Sequence, residues 1–236
     1  TLRSYLELVK AEHPRSVHAL AEQVWHEEWT PRETLEWARY ESLINEVFRD
    51  TGASALCPYD TSALPASILE YARRTHPWLV QNGARFDSGR FTKPKAFSAD
   101  VDRARTFPAP QESEYLPVTG HDLHELRRWV GGRAERHGMS GRDAQNLVTA
   151  VNEVAANALR HGIPPVGVRL WTEGADLLCE VGDNGYWRDF SPLTGFVPPK
   201  TALDSGFGLW TVRLLVDLVE VRAGWDGTFV RMRVSR

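Results

Sequence analysis

A chain of 236 residues, 42% hydrophobic and 25% charged, can form one large globular domain or two modest ones. Its formal net charge of −3 leaves no basic excess to neutralise phosphates, which argues against direct nucleic-acid binding. No apolar run reaches the roughly 18–20 residues that span a bilayer, and no signal peptide is visible, so the chain reads as cytoplasmic, with no membrane partner. Cys57 and Cys179 lie far apart and outside any Cys-x-x-Cys. They fit a reducing compartment and buried strand positions better than a disulfide or a zinc site. The first residue is Thr1, within a helical pattern of Leu2, Leu6 and Val9, so part of an N-terminal domain is expected to precede it.

In chain order, Val17 to Trp25 reads as a strand, with Glu22 and Gln23 showing that it is not buried on both faces. Thr30-Pro31-Arg32-Glu33 opens a helix, with a Thr cap, Pro at the first position and an acid in the first turn. Leu35, Ala38, Leu43, Val47 and Phe48 carry that helix to Thr51-Gly52. Ala53 to Cys57 is a short strand stopped by Pro58; Leu64 to Arg74 is a helix, and Pro77 then breaks the chain. Alternating strands and helices point to parallel pairing in an α/β layer. Residues 88–112, poor in aliphatics and carrying Gly89, Pro94, Pro108 and Pro110, read as a linker. The expected division is 1–106 and 107–236.

The second part opens with a strand, Glu114 to Val118, and a helix from His121 to about Arg136, weakened by Gly131-Gly132. Ser140 caps the next helix, with Asp143 three residues on, and this helix runs to about Arg160. Val166–Trp171, Leu177–Val181, Leu218–Arg222 and Thr228–Val234 read as strands, and Leu209–Leu215 as a helix entered from a glycine turn.

Three segments carry chemistry. Leu147, Val151, Val154, Ala155 and Ala158 form the apolar stripe of the Ser140 helix, which leaves Glu153 and Asn157 as i, i+4 neighbours on another side. An amide oxygen is a hard ligand suited to Mg²⁺, and a carboxylate beside it can take a proton. On this helix alone an exposed polar face is the simpler reading. Asp183-Asn184-Gly185 ends a strand and is by itself a turn sequence. Gly206-Phe207-Gly208-Leu209 opens a helix, where free N–H groups and the dipole suit phosphate, although a lone Gly-x-Gly is weak evidence. No Gly-x-x-x-x-Gly-Lys-Ser/Thr loop is present. His76, before Pro77 at a helix end, reads as a capping or packing residue, and His121 and His124 have no third ligand within sequence reach.

In this order the segments resemble the GHKL (Bergerat) ATPase domain over about residues 114–236, and within it the anti-sigma-factor serine/threonine kinases of bacterial partner switching. The resemblance implies ATP and Mg²⁺ as cofactors, Asn157 as Mg²⁺ ligand and Glu153 as catalytic base. It implies Asp183 at the adenine with Gly185 giving it room, Gly206, Gly208 and Leu209 at the phosphates, and Thr228 supporting the adenine contact. Trp187 to Ser205 would be the ATP lid. The partners implied are a sigma factor and a STAS-type anti-anti-sigma protein, with a possible homodimer. Trp187 stands where the family's Asp-x-Gly-x-Gly has its second glycine, which favours an alternative: a catalytically degenerate module that sequesters a partner. A sensor histidine kinase catalytic domain ranks last, because Ser88 to Val118 is too broken by prolines to be a dimerising helix. Leu56-Cys57-Pro58-Tyr59-Asp60 and Ala72-Arg73-Arg74-Thr75-His76-Pro77 resemble the C-terminal half of MEDS sensory domains. The fold class expected is therefore α/β, an incomplete KaiC/RecA-like module followed by a GHKL α/β sandwich.

Overall fold

A computed structural model of the chain describes residues 17–22, 26, 28–104, 108–120, 123–186, 191–197, 207–224 and 226–235. The chain divides into two compact units, Thr1–Val101 and Asp102–Arg236.

In the first unit, β1 (His18–Leu20) precedes α1 (Pro31–Phe48), β2 (Ser54–Leu56) and α2 (Ala66–Thr75). β1 pairs in parallel with β2, His18 opposite Ser54 and Leu20 opposite Leu56. A parallel pair needs a crossover, and α1 provides it. The start of α1 is fixed by a full capping box: the Glu33 N–H donates to Thr30 Oγ1 at 3.3 Å, and the Thr30 N–H donates to Glu33 Oε2 at 2.7 Å. The strand expected over Val17–Trp25 is shorter, and residues 23–25 of that call lie outside the described residues.

Two elements depart from the sequence reading. After Pro77 the chain forms a hairpin, β3 (Trp78–Gln81) with β4 (Ala84–Asp87), turned by Asn82 and Gly83 at φ 51° and 77°. Positive φ at both turn positions is the two-residue hairpin geometry that Asn-Gly favours. Within the expected linker lies α3 (Pro94–Arg103). Pro94 occupies the first helical position, where its missing N–H costs no hydrogen bond. The aromatic Phe97, 1% exposed, and Val101 pack one turn apart against Ala38, Leu35, Trp37 and Tyr71, so a segment poor in aliphatics still has a buried face.

The second unit is an antiparallel sheet in the order β5-β6-β7-β9-β8, layered with helices. Its elements are β5 (Glu114–Val118), α4 (Leu123–Arg136), α5 (Gly141–His161), β6 (Val166–Glu173), β7 (Asp176–Asp183), α6 (Phe207–Leu215), β8 (Leu218–Gly224) and β9 (Gly227–Val234). Ser140 caps α5 by accepting the Asp143 N–H at 3.2 Å. The expected stripe of α5 is the core: Leu147, Val151, Val154, Ala155 and Ala158 join Leu126, Val130 and Val212 over Val168, Cys179, Val181, Val230 and Met232. Each fully buried aliphatic side chain contributes about 1.5–3 kcal/mol. The unit is an α/β sandwich.

Strand alternation places a row of charges on the opposite sheet face from Cys179 and Val181. Arg169 is in register with Glu180, Glu180 with Arg231, and Arg231 with Glu220. Burial pushes the Cys179 thiol well up, with Glu180 adding to the shift, which suits a packing residue rather than a nucleophile. Among the described residues no helix is long and apolar enough to cross a membrane.

Candidate functional site

The site is assembled where α5, the end of β7 and the start of α6 meet. Because the apolar stripe of α5 is committed to the sheet, Glu153 and Asn157 fall beside it, partly buried, with Asn157 Nδ2 donating to Glu153 Oε1 at 3.4 Å. Arg160, one turn on, points Nη1 at Asn157 Oδ1, also at 3.4 Å. Over this pair sits Gly208. A Cβ there would lie 2.7 Å from Asn157 Nδ2 and nearer still to Glu153 Oε1. A side chain at this position would push aside the ends of Glu153 and Asn157, and no left-handed backbone is involved. The glycine backbone lies directly against the Glu-Asn pair.

A second cluster surrounds Asp183, a carboxylate only 6% exposed. Its Oδ1 accepts the Gly185 N–H at 2.6 Å and the Ile163 N–H at 3.2 Å. Among the described residues Oδ2 takes no hydrogen bond, so it is available to accept one from a ligand N–H. Gly162, the C-cap of α5, brings that helix to the same carboxylate: a Cβ on Gly162 would stand 2.5 Å from Asp183 Oδ1. A Cβ on Gly185 would meet Asp183 Oδ1 at 2.5 Å. Thr228 lies in register with Asp183 on β9, 2% exposed, and its hydroxyl donates to the Gly185 carbonyl at 2.8 Å. Thr228 thus holds the turn that follows Asp183.

The residues singled out in the sequence therefore gather in two places: Glu153, Asn157 and Gly208 in one, Asp183, Gly185 and Thr228 in the other. Leu209 goes elsewhere, 7% exposed and part of the core. Gly206 and Trp187 lie outside the described residues. Of the expected lid, residues 191–197 are described. Gly195, at φ 76°, packs against Leu209, and Arg213 of α6 stacks 3.9 Å from the Phe196 ring centroid. Gly162, Ile163 and Gly227 were not legible as site residues. Gly227, at φ 128°, has no room for a side chain beside the Asp183 carbonyl oxygen, and its place just before Thr228 was the available signal.

A family model described as a histidine kinase-like ATPase domain matches residues 116–234, about half of the 236. The chain belongs to this family. A model of the MEDS domain, the methanogen/methylotroph DcmR sensory domain, matches residues 1–77 of the same ATPase-family chain. No curated protein sequence matches it. Similar solved structures include the RsbU and RsbW domains of Rv1364c from Mycobacterium tuberculosis, 18% identical at TM-score 0.40 over 54% of this chain and 33% of that one. The mycobacterial sensor histidine kinase MprB is 20% identical at TM-score 0.33, covering 52% and 97% of the two chains. The Acinetobacter baumannii histidine kinase AdeS is 11% identical at TM-score 0.32, covering 90% and 98%. This chain thus spans a third of the first of these.

Proposed function

We propose that the ATPase-family domain binds Mg-ATP and transfers its γ-phosphoryl group to a serine of a STAS-type anti-anti-sigma protein. A sigma factor competes for the same surface, and the MEDS-like unit regulates the exchange. The packing of Gly208 onto the Glu153–Asn157 pair carries this reading, because it brings the start of a helix against a carboxylate and an amide in a chain without a P-loop. Asp183 Oδ2 accepts the adenine amino hydrogen, while Gly185 and Thr228 hold the turn beside the base. Asn157 Oδ1 ligates Mg²⁺, which neutralises phosphate charge when bound. Glu153 takes the proton of the attacking serine hydroxyl. Gly208 lies at the phosphate end, at the start of α6.

Glu153→Gln keeps size and packing and removes the base. Phosphate incorporation into a STAS partner from labelled ATP is expected to fall by about 10²–10⁴-fold while nucleotide affinity stays within a few-fold. An unchanged transfer rate would remove Glu153 from the mechanism. One observation favours a second reading: Arg160 Nη1 lies 3.4 Å from the Asn157 oxygen and competes with a cation for it. In that version the domain sequesters its partner without catalysis, and a sigma factor binds it equally well with and without ATP.

A further inference from the structure

The two sequence pieces that mark the MEDS-like unit, Cys57-Pro58-Tyr59-Asp60 and Arg74-Thr75-His76-Pro77, meet in space beside Glu41 of α1. A carboxylate oxygen of Glu41, the sulfur of Cys57 and a ring nitrogen of His76 all lie within 4.8 Å of one another. The three come from separate elements: the middle of α1, the residue after β2 and the C-cap of α2. No local ligand spacing links positions 41, 57 and 76, which is why the cysteine looked unconnected to any metal motif in the sequence.

We propose that Glu41, Cys57 and His76 form a site for a borderline-soft divalent cation of the Zn²⁺ class, with a fourth position left to water or a small ligand. The donor set is one sulfur, one imidazole and one carboxylate, a mixture that suits Zn²⁺ and not Mg²⁺ or Ca²⁺. Charge balances within the site. Cys57 binds as thiolate after releasing its proton to solvent, and with the Glu41 carboxylate it neutralises a doubly charged ion. Glu41 is 3% exposed, and buried carboxylates are retained where a cation or hydrogen bonds compensate them.

The surroundings fit a ligating imidazole. His76 Nδ1 lies 3.0 Å from both the Ala72 carbonyl oxygen and Thr75 Oγ1, and in the tautomer that donates from Nδ1 to the carbonyl the Nε2 lone pair is left for a metal. A backbone carbonyl on the far ring nitrogen is the usual support of a metal-bound histidine. Tyr59 closes the site, its ring edge-on to His76 at 5.6 Å between centroids and its hydroxyl donating to Glu41 Oε2 at 3.4 Å.

Co²⁺ titration of the full chain, followed by absorption, tests this. The expected result is a thiolate-to-cobalt charge-transfer band that saturates at one ion per chain and is abolished by excess Zn²⁺. Cys57→Ser is expected to remove the band, and Glu41→Gln to weaken binding at least 10-fold. Should a variant fail to fold, alkylation of the native chain mapped by mass spectrometry locates the ligand without mutation. Zn²⁺ should slow modification of Cys57 and leave Cys179 unchanged. No band with the native chain, a band retained in Cys57→Ser, or no Zn²⁺ protection of Cys57 would each overturn the proposal.

Discussion

Gly208→Ala is expected to leave the chain folded and to weaken nucleotide binding by about 10-fold, equivalent to ~1.4 kcal/mol. The added methyl would meet Glu153 Oε1 and stand 2.7 Å from Asn157 Nδ2. Both atoms end movable side chains, so the helix need not shift and the pair gives way instead. Within α6 the exchange even favours folding, because Ala exceeds Gly in helix propensity by about 1 kcal/mol. Stability and binding should therefore part company. Gly132→Ala serves as control, since a Cβ there meets nothing within 4 Å. Thermal melts and nucleotide titration of both variants make the comparison. Native affinity in Gly208→Ala would place the nucleotide away from the Glu153–Asn157 pair.

Arg231→Ala is expected to show the largest stability loss, about 3–5 kcal/mol, the usual cost of removing one partner from a buried ion pair. Arg231 is 1% exposed and donates from Nε and Nη2 to Glu180 Oε2, at 3.0 and 2.6 Å. Its guanidinium also lies 4.9 Å from the Trp171 ring centroid. The register puts it between Glu180 and Glu220, themselves 7% and 3% exposed. Glu220 keeps Arg222 at 3.5 Å, so Glu180 bears most of the loss. Replacing both members of the pair, Arg231→Met with Glu180→Met, should cost far less than the single change, because no buried charge is then stranded. Urea unfolding checks this. A loss below about 1 kcal/mol would mean that the row behaves as a solvated surface pair.

The elements with one strong local signal were legible in the sequence. Thr30-Pro31 and Ser140 announced two helices through capping chemistry, and the 3.6-residue stripe of α5 named its buried face. Asp183-Asn184-Gly185 marked a strand end, and the structure makes it the centre of a hydrogen-bonded turn. What the sequence hid depends on contacts between distant segments. Gly208 reads as a helix-opening glycine, yet a side chain there would meet Glu153 and Asn157, more than fifty positions away. Gly162 looks like an ordinary helix stop, and only the fold brings Asp183 against it. The helix Pro94–Arg103 was masked because Phe97 and Val101 supply its buried face without a dense aliphatic stripe. The Glu41–Cys57–His76 cluster belongs to the same kind, since its members share no spacing.

The most direct test of the nucleotide site is calorimetric titration of the full chain with ATP and Mg²⁺, run beside Asn157→Ala. The account predicts saturable Mg²⁺-dependent binding, one nucleotide per chain, that the variant loses. Equal binding by both proteins, or none by either at millimolar nucleotide, would contradict it.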